Sequence, residues 1–349
     1  MNKLRWGILG AAAIARKNWK AIWHSGNSII SAVASRNLER GRQFVAECQR
    51  DNPFDAAPAA LGSYEELLAS PEVDAIYIPI PTGLRTEWVV RAADAGKHIL
   101  CEKPCGATVD DVCAMIEAAR RNRVQFMDGV MFMHNPRLDR IRRALEDENS
   151  FGKIRRITSH FSFFSTEDFR QTNVRSNNAL EPLGCLGDLG WYCIRIALWT
   201  MNWQLPREVC GRIISQTCSD RNQGAVPFDF SGELIFDEDI SSGFYCSFLA
   251  TYSNWAAMTG TKGHLRVPDF VLPKNSSEGA LEINGVLSDD LKMDPATTPD
   301  TNMIRTFSAQ VLSGKLNDAW PEWALKTQIV TNACLEAARS GKTVVVPAT

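Results

Sequence analysis

The sequence predicts an α/β protein in two parts: a doubly wound parallel sheet with helices on both faces, then a second domain built largely on antiparallel strands. Three observations carry this. A chain of 349 residues exceeds the roughly 250–300 residues that one hydrophobic core usually serves. Over residues 1–130, short apolar runs alternate with amphipathic stretches, as in a parallel sheet covered on both faces. Over residues 131–349, runs such as "KIRRITSHFSFF" and "SSGFYCSFLATYS" alternate or are rich in aromatic and β-branched side chains, as in antiparallel sheet.

In order along the first part, strands are expected at Leu4–Leu9, Ile29–Ala34, Asp74–Ile78, His98–Glu102 and Val124–Met127. The helical stretches between them are "LERGRQFVAECQR", "SYEELLAS", "RTEWVVRAADAG" and "TVDDVCAMIEAARRN". Ser63 with Glu66 three residues on has the form of an amino-terminal cap, and Gly96 that of a helix stop. Later strands are expected within "PREVCGRIIS" and "FDFSGELIFD", a buried helix within "CLGDLGWYCIRIALWTM", and a last helix in "AWPEWALKTQIVTNACLEAARSG", ended by Gly341 and able to pack back on the first domain.

Composition excludes several function classes. A net charge of −2 with scattered Lys and Arg lacks the dense basic patch that nucleic acid or an anionic membrane calls for. No run approaches the ~18 apolar residues of a membrane span, and no secretory pattern precedes the first strand. The ten cysteines form no C-x-x-C pair, so they read as reduced thiols of a cytoplasmic protein without a metal site. Cys101 and Cys105 have no His or Asn beside them in sequence, which argues against a nucleophilic role.

In an open doubly wound sheet, ligands bind outside the carboxyl ends of the strands. The first strand delivers "GILGAAAIA". Gly10 begins a turn, Ala12 takes the position where a second glycine is usual, and Ala13 and Ile14 open a helix whose amino terminus can receive a pyrophosphate. The same letters also suit a plain strand-to-helix turn packed with alanines. The second strand ends in Ser35 and Arg36, a hydroxyl and a guanidinium where an NAD site offers an acid to the ribose. That favours a 2′-phosphate, and so NADP over NAD, though a solvated Arg36 is the alternative. After "DAIYI", "PIPTGLR" sets Pro79 and the hydroxyl of Thr82 in a stiff loop, either along the nicotinamide ribose or as a turn alone.

The next strand leaves through Glu102-Lys103-Pro104. A proline keeps the residue before it extended, so Lys103 stays at the sheet edge, where its ammonium can steady charge on a reacting oxygen, with Glu102 orienting polar neighbours. In the second domain, Asp188 and Tyr192 lie four apart on one helix face, which Arg195 can extend. A phenol beside an ammonium can exchange protons. Equally, Asp188 can be a helix cap and Tyr192 a core residue. His134, Phe161, Phe163 and Phe164 read as pocket walls or scaffold.

Taken together, "WGILGAAAIA", "AVASRN", "DAIYIPIPTGLRTEWVVRAADAGKHILCEKP", "GDLGWYC" and "GTKGHLRV" resemble the glucose-fructose oxidoreductase and inositol dehydrogenase (Gfo/Idh/MocA) family, in particular its branch of dihydrodiol dehydrogenase, glucose-fructose oxidoreductase and NADP-linked aldose dehydrogenases. The resemblance implies a Rossmann domain followed by an α/β domain with an open, mainly antiparallel sheet, and an NADP-dependent oxidoreductase acting on a sugar, cyclic polyol or trans-diol. It places the family's catalytic Lys at Lys103 and its Asp and Tyr at Asp188 and Tyr192. It puts Pro104, often preceded by a cis peptide, next to the nicotinamide, and implies a homodimer or homotetramer through the second-domain sheet. Thr82 and Arg85 stand where many relatives have Asn and His, and Tyr192 where the inositol branch has His. Two other readings fit the same pattern, a non-catalytic dinucleotide sensor and a sugar oxidoreductase that keeps its cofactor bound.

Overall fold

A computed structural model describes residues 2–217, 224–273, 279–288 and 294–347. In chain order the elements to residue 135 are β1 (Leu4–Leu9), α1 (Ala13–Ser25), β2 (Ser28–Ala34), α2 (Leu38–Asp51), β3 (Ala59–Leu61), α3 (Tyr64–Ala69), β4 (Ala75–Ile78), α4 (Thr82–Asp94), β5 (His98–Cys101), α5 (Val109–Arg121) and β6 (Phe126–Asp128). The next stretch contains α6 (Arg137–Glu146), β7 (Ile154–Ser162), α7 (Glu167–Thr172), α8 (Trp191–Thr200), β8 (Glu208–Thr217), β9 (Val226–Ile235), β10 (Ser241–Ser247), β11 (Ser253–Gly260), β12 (His264–Pro268), β13 (Leu281–Ile283) and β14 (Val286–Ser288). Then come α9 (Pro299–Leu312), α10 (Ala319–Ser340) and β15 (Val344–Val345).

The first six strands form one sheet in the order β3-β2-β1-β4-β5-β6, every pair parallel. β1 therefore has β2 on one side and β4 on the other, and the order reverses there, the switch point at which a Rossmann sheet opens a crevice. Ser63 caps α3 by accepting from Glu66 N at 3.2 Å, and Gly96 follows α4 with φ +71°. β3 is not foreseen by sequence pattern. Its three residues, Ala-Ala-Leu, are too few and too small to show a period.

The chain divides into two compact units, residues 1–106, 110–135 and 294–324 in one, and 107–109, 136–293 and 325–349 in the other. A division at residue 130 leaves 294–324 in the second domain, whereas the structure groups them with the first sheet. The reason is packing: Trp6 of β1 is fully buried, its ring 5.1 Å from that of Phe307 and its indole N–H donating to Ser308 Oγ at 3.2 Å. Arg305 of α9 donates to the carbonyls of His24 and Ser25 that end α1. An apolar helix stripe shows that a helix is covered but not by which surface.

The second unit holds a nine-stranded sheet, β14-β13-β12-β11-β7-β10-β9-β8-β15, antiparallel at every junction except β7 with β10. Alternation along β7 buries Ile157, Ser159 and Phe161 and leaves Thr158 and His160 half-exposed. α8 lies on the buried side, and Trp191 to Leu198 are all buried, which is why that stretch shows no amphipathic period. A π-helical turn, Leu186–Gly190, leads into it. Gly190 packs closely there, since a Cβ would come within 2.9 Å of Leu186 Cδ1 and 3.2 Å of Cys246 Sγ. No helix among the described residues is long and apolar enough to cross a membrane.

Candidate functional site

At the end of β1, Gly10 has φ +112°, a conformation open to glycine and costly for other residues, and its N–H donates to Ala34 O at 2.9 Å. Ala12 precedes α1 without a side-chain cap, and the first turn of that helix carries no acid. Ala13 and Ile14 are exposed. An uncapped, acid-free amino terminus of a 13-residue helix has N–H groups and a positive dipole end to offer an anion. Ser35 at the end of β2 is buried, its Oγ accepting from Asn37 N at 3.3 Å, so it shapes the turn first and has only its own proton left to give. Arg36 is exposed. Sequence reasoning passed over Arg40, whose Nη2 donates to Ala11 O at 3.2 Å and so leans over the glycine turn. Its place in the first turn of α2, just after the end of β2, was the available signal.

The ends of β4 and β5 are fastened together. Pro79 and Ile80 are buried. Thr82 is not an open hydroxyl but a buried first residue of α4, with Oγ1 accepting from Arg85 Nη1 at 3.0 Å. The buried Arg85 also donates from Nε to Ile80 O at 2.7 Å and from Nη1 to Pro104 O. Arg85 thus clamps the exit of β4 to the segment after β5.

Glu102 is held from beneath. Asn18 Nδ2 of α1 donates to Tyr77 Oη of β4 at 2.7 Å, and Tyr77 Oη donates to Glu102 Oε1 at 2.6 Å. Burial, and then the Glu102 charge, push the Tyr77 phenol well above its ordinary range, so it remains a donor. Glu102 Oε2 accepts from Lys103 N at 3.2 Å. Lys103 is half-buried, and its bond to Pro104 is cis. The neighbouring thiols are inert: Cys101 and Cys105 are fully buried, and burial pushes Cys101 up to about 12.

In the second unit, Asp188 sits inside the π-turn, where the residues before it are already helical, so it is not a cap. Its Oδ2 accepts from Arg175 Nε at 2.8 Å. Tyr192, one turn on, is buried with its ring 5.8 Å from that of Phe161. The Asp188 charge, offset in part by burial, raises the Arg175 guanidinium above its ordinary value, with Glu181 and Tyr192 adding to the effect. Arg195 does not extend this face as an open cation; it is buried, 5.7 Å from the rings of both Trp191 and Trp203. Phe161 is core, Phe163 packs on Phe169 and Phe248, and Phe164 is exposed under Arg170. His134 ends a short 3-10 turn of the first unit. Lys103 and the Asp188–Tyr192 pair belong to different units.

Comparison with known proteins gives a consistent picture. The model of an oxidoreductase family with an NAD-binding Rossmann fold matches residues 4–130, and that of the GFO/IDH/MocA C-terminal domain matches residues 140–266. A D-xylose 1-dehydrogenase (NADP+) of Haloferax volcanii is 28% identical over 98% of this chain and 99% of its own. A trans-1,2-dihydrobenzene-1,2-diol dehydrogenase of Bos taurus is 28% identical over 76% of this chain and 74% of its own. A 3-ketoreductase of Actinomadura kijaniata, solved with NADP and TDP-benzene, superposes with a TM-score of 0.82 at 25% identity, covering 96% of this chain and 98% of that one.

Proposed function

This chain belongs to the Gfo/Idh/MocA family of oxidoreductases, and we propose that it is an NADP-dependent enzyme that moves hydride to or from a carbon bearing a hydroxyl or carbonyl on a sugar, cyclic polyol or trans-diol. The observation that carries this is the fixed exit from β5, where Tyr77 and Arg85 hold Glu102 and Pro104 on either side of Lys103. A lysine anchored so closely by its neighbours has a defined post, and a positioned ammonium is worth most where charge develops on oxygen.

The residues of the first unit suit the cofactor. Gly10 lets the backbone approach the pyrophosphate, with Ala12, Ala13 and Ile14 at the helix terminus that receives it. Ser35 and Arg36, joined by Arg40, take the 2′-phosphate, while Pro79, Thr82, Glu102 and Pro104 shape the nicotinamide end. When bound, the cofactor supplies or accepts hydride at nicotinamide C4. Lys103 donates to the reacting oxygen, Tyr192 gives or takes its proton, and Asp188 orients the substrate or Lys103. The xylose and dihydrodiol relatives support a neutral polyhydroxyl or diol substrate.

We further propose that the protein is a cytoplasmic homodimer or homotetramer joined through the half-exposed face of the nine-stranded sheet. There His160 stacks on Trp255 at 5.9 Å and lies 5.0 Å from Tyr245, half-exposed aromatic surface of the sort interfaces use.

Fluorescence titration with NADPH and NADH, then a panel of aldoses and trans-diols, tests the function. NADPH is expected to bind at least about tenfold tighter, and replacing Arg36 and Arg40 with Ala to erase that preference by weakening NADPH alone. Equal affinity of the intact protein for both would remove the role given to Ser35, Arg36 and Arg40.

A further inference from the structure

Arg175 comes from a short 3-10 turn, Val174–Ser176, whose entry is fixed by Asn173 Oδ1 accepting from Arg175 N at 3.0 Å. Its guanidinium meets Asp188 through Nε alone, at 2.8 Å, and the two side chains are 41% and 14% exposed. Arginine commonly grips a carboxylate with two parallel bonds. A single Nε bond instead leaves the Nη donors uncommitted to Asp188, and the charge is shared with Glu181 and with Tyr192 one turn along.

We infer that Arg175 is a positioning residue for the reaction: it fixes Asp188 as a carboxylate in one orientation from within the same unit. This rests on the proposed roles of Asp188 and Tyr192 and adds a residue to them. The guanidinium favours the ionised form of Asp188, which gains an opposite charge at hydrogen-bond distance. Glu181 works against it, drawing part of the same charge. From the sheet, β7 presents Ser159 and Phe161 to this helix and its π-turn, and β10 presents Phe244 and Cys246. Of these only Cys246 titrates, and burial holds it neutral. Arg195, on the same helix, is enclosed between two indoles. Arg175 meets the Asp188 carboxylate directly, at 2.8 Å.

The test is the pH dependence of kcat and kcat/KM for wild type, Arg175→Gln, Arg175→Lys, Asp188→Asn and the double variant Arg175→Gln/Asp188→Asn, with NADPH affinity measured alongside by fluorescence. Arg175→Gln should lower kcat roughly 10- to 100-fold. It should also move the acid limb to higher pH by about half to one unit, because Asp188 then takes up its proton sooner, while NADPH binding stays unchanged. Arg175→Lys should return the limb to its wild-type position. In the Asp188→Asn background, adding Arg175→Gln should leave the acid limb where it was. A profile for Arg175→Gln that keeps the wild-type shape at lower amplitude overturns the inference, as does a limb that moves for Arg175→Lys, the variant that decides if the glutamine chain does not fold. Failure of the underlying reading shows itself separately, as Asp188→Asn with wild-type turnover.

Discussion

The two units hold their proposed site residues by different means. In the first, Gly10, Ser35, Glu102 and Lys103 stand at or just beyond the ends of β1, β2 and β5, so the order of the sheet places them. In the second, Asp188 and Tyr192 are placed by a helix and its π-turn, and the charge that meets Asp188 arrives from a short 3-10 turn 13 residues upstream. A sheet edge fixes backbone positions and leaves side chains to be tuned by neighbours, as Tyr77 and Arg85 do. A helix face fixes side-chain spacing but depends on loops for its electrostatics.

The sharpest way to break the comparison is at its two ends. Lys103→Met should lower turnover by about 10²–10³, the scale of a lost positioned donor or charge-stabilising group, while NADPH still binds. Tyr192→Phe should cost about as much if proton exchange passes through its hydroxyl. If only one of the two matters, steady-state turnover will show that the chemistry belongs to a single unit.

How much of this was legible follows from the same contrast. Strand ends can be read because apolar runs have boundaries: Gly10, Ser35 and Lys103 each follow one, and the two-period or helical spacing says on which side. Asp188 and Tyr192 were legible from their four-residue interval. Arg85, Tyr77 and Asn18 were not, because nothing in "RTEWV" or "AIYI" tells that a buried guanidinium reaches Pro104 or that a strand tyrosine reaches Glu102. Those bonds join residues 19 and 25 apart in sequence, and only the packed sheet brings them together. Arg175 was silent for a similar reason, since "TNVRSNN" has no period. At Thr82 a stiff loop is expected from the sequence, and α4 already begins there.

Tyr77→Phe probes how far the first unit tunes its half-buried lysine from below. It leaves Glu102 Oε1 without its donor and Asn18 Nδ2 without its acceptor, both in partly or wholly buried surroundings. A stability loss of about 1–3 kcal/mol follows from the unmade bonds, readable by urea denaturation. Turnover should fall by about tenfold or less as Glu102 loosens beside Lys103, well short of the loss for Lys103→Met. A fall as deep as that of Lys103→Met would mean that Glu102, and not Lys103, is the group the relay serves.

The smallest expected effect concerns the opposite end of β5, away from the proposed chemistry. His98 Nδ1 accepts from Gln125 N at 2.9 Å, which requires a neutral ring with its proton elsewhere, and burial lowers the affinity of the imidazole for a second proton. A group whose pKa is depressed in the folded state contributes stability that is whole above its unfolded value of about 6.5 and is lost as pH falls through the folded value. Stability should therefore decline as the solution is acidified below about pH 6.5. His98→Asn should flatten that decline, since an amide oxygen can still accept but does not titrate in this range. Activity per folded molecule should not change, because His98 opens β5 and Lys103 lies beyond its other end. If the acid slope survives the substitution, its source lies in another group, and the sheet's two ends are coupled less simply than the strand-end picture holds.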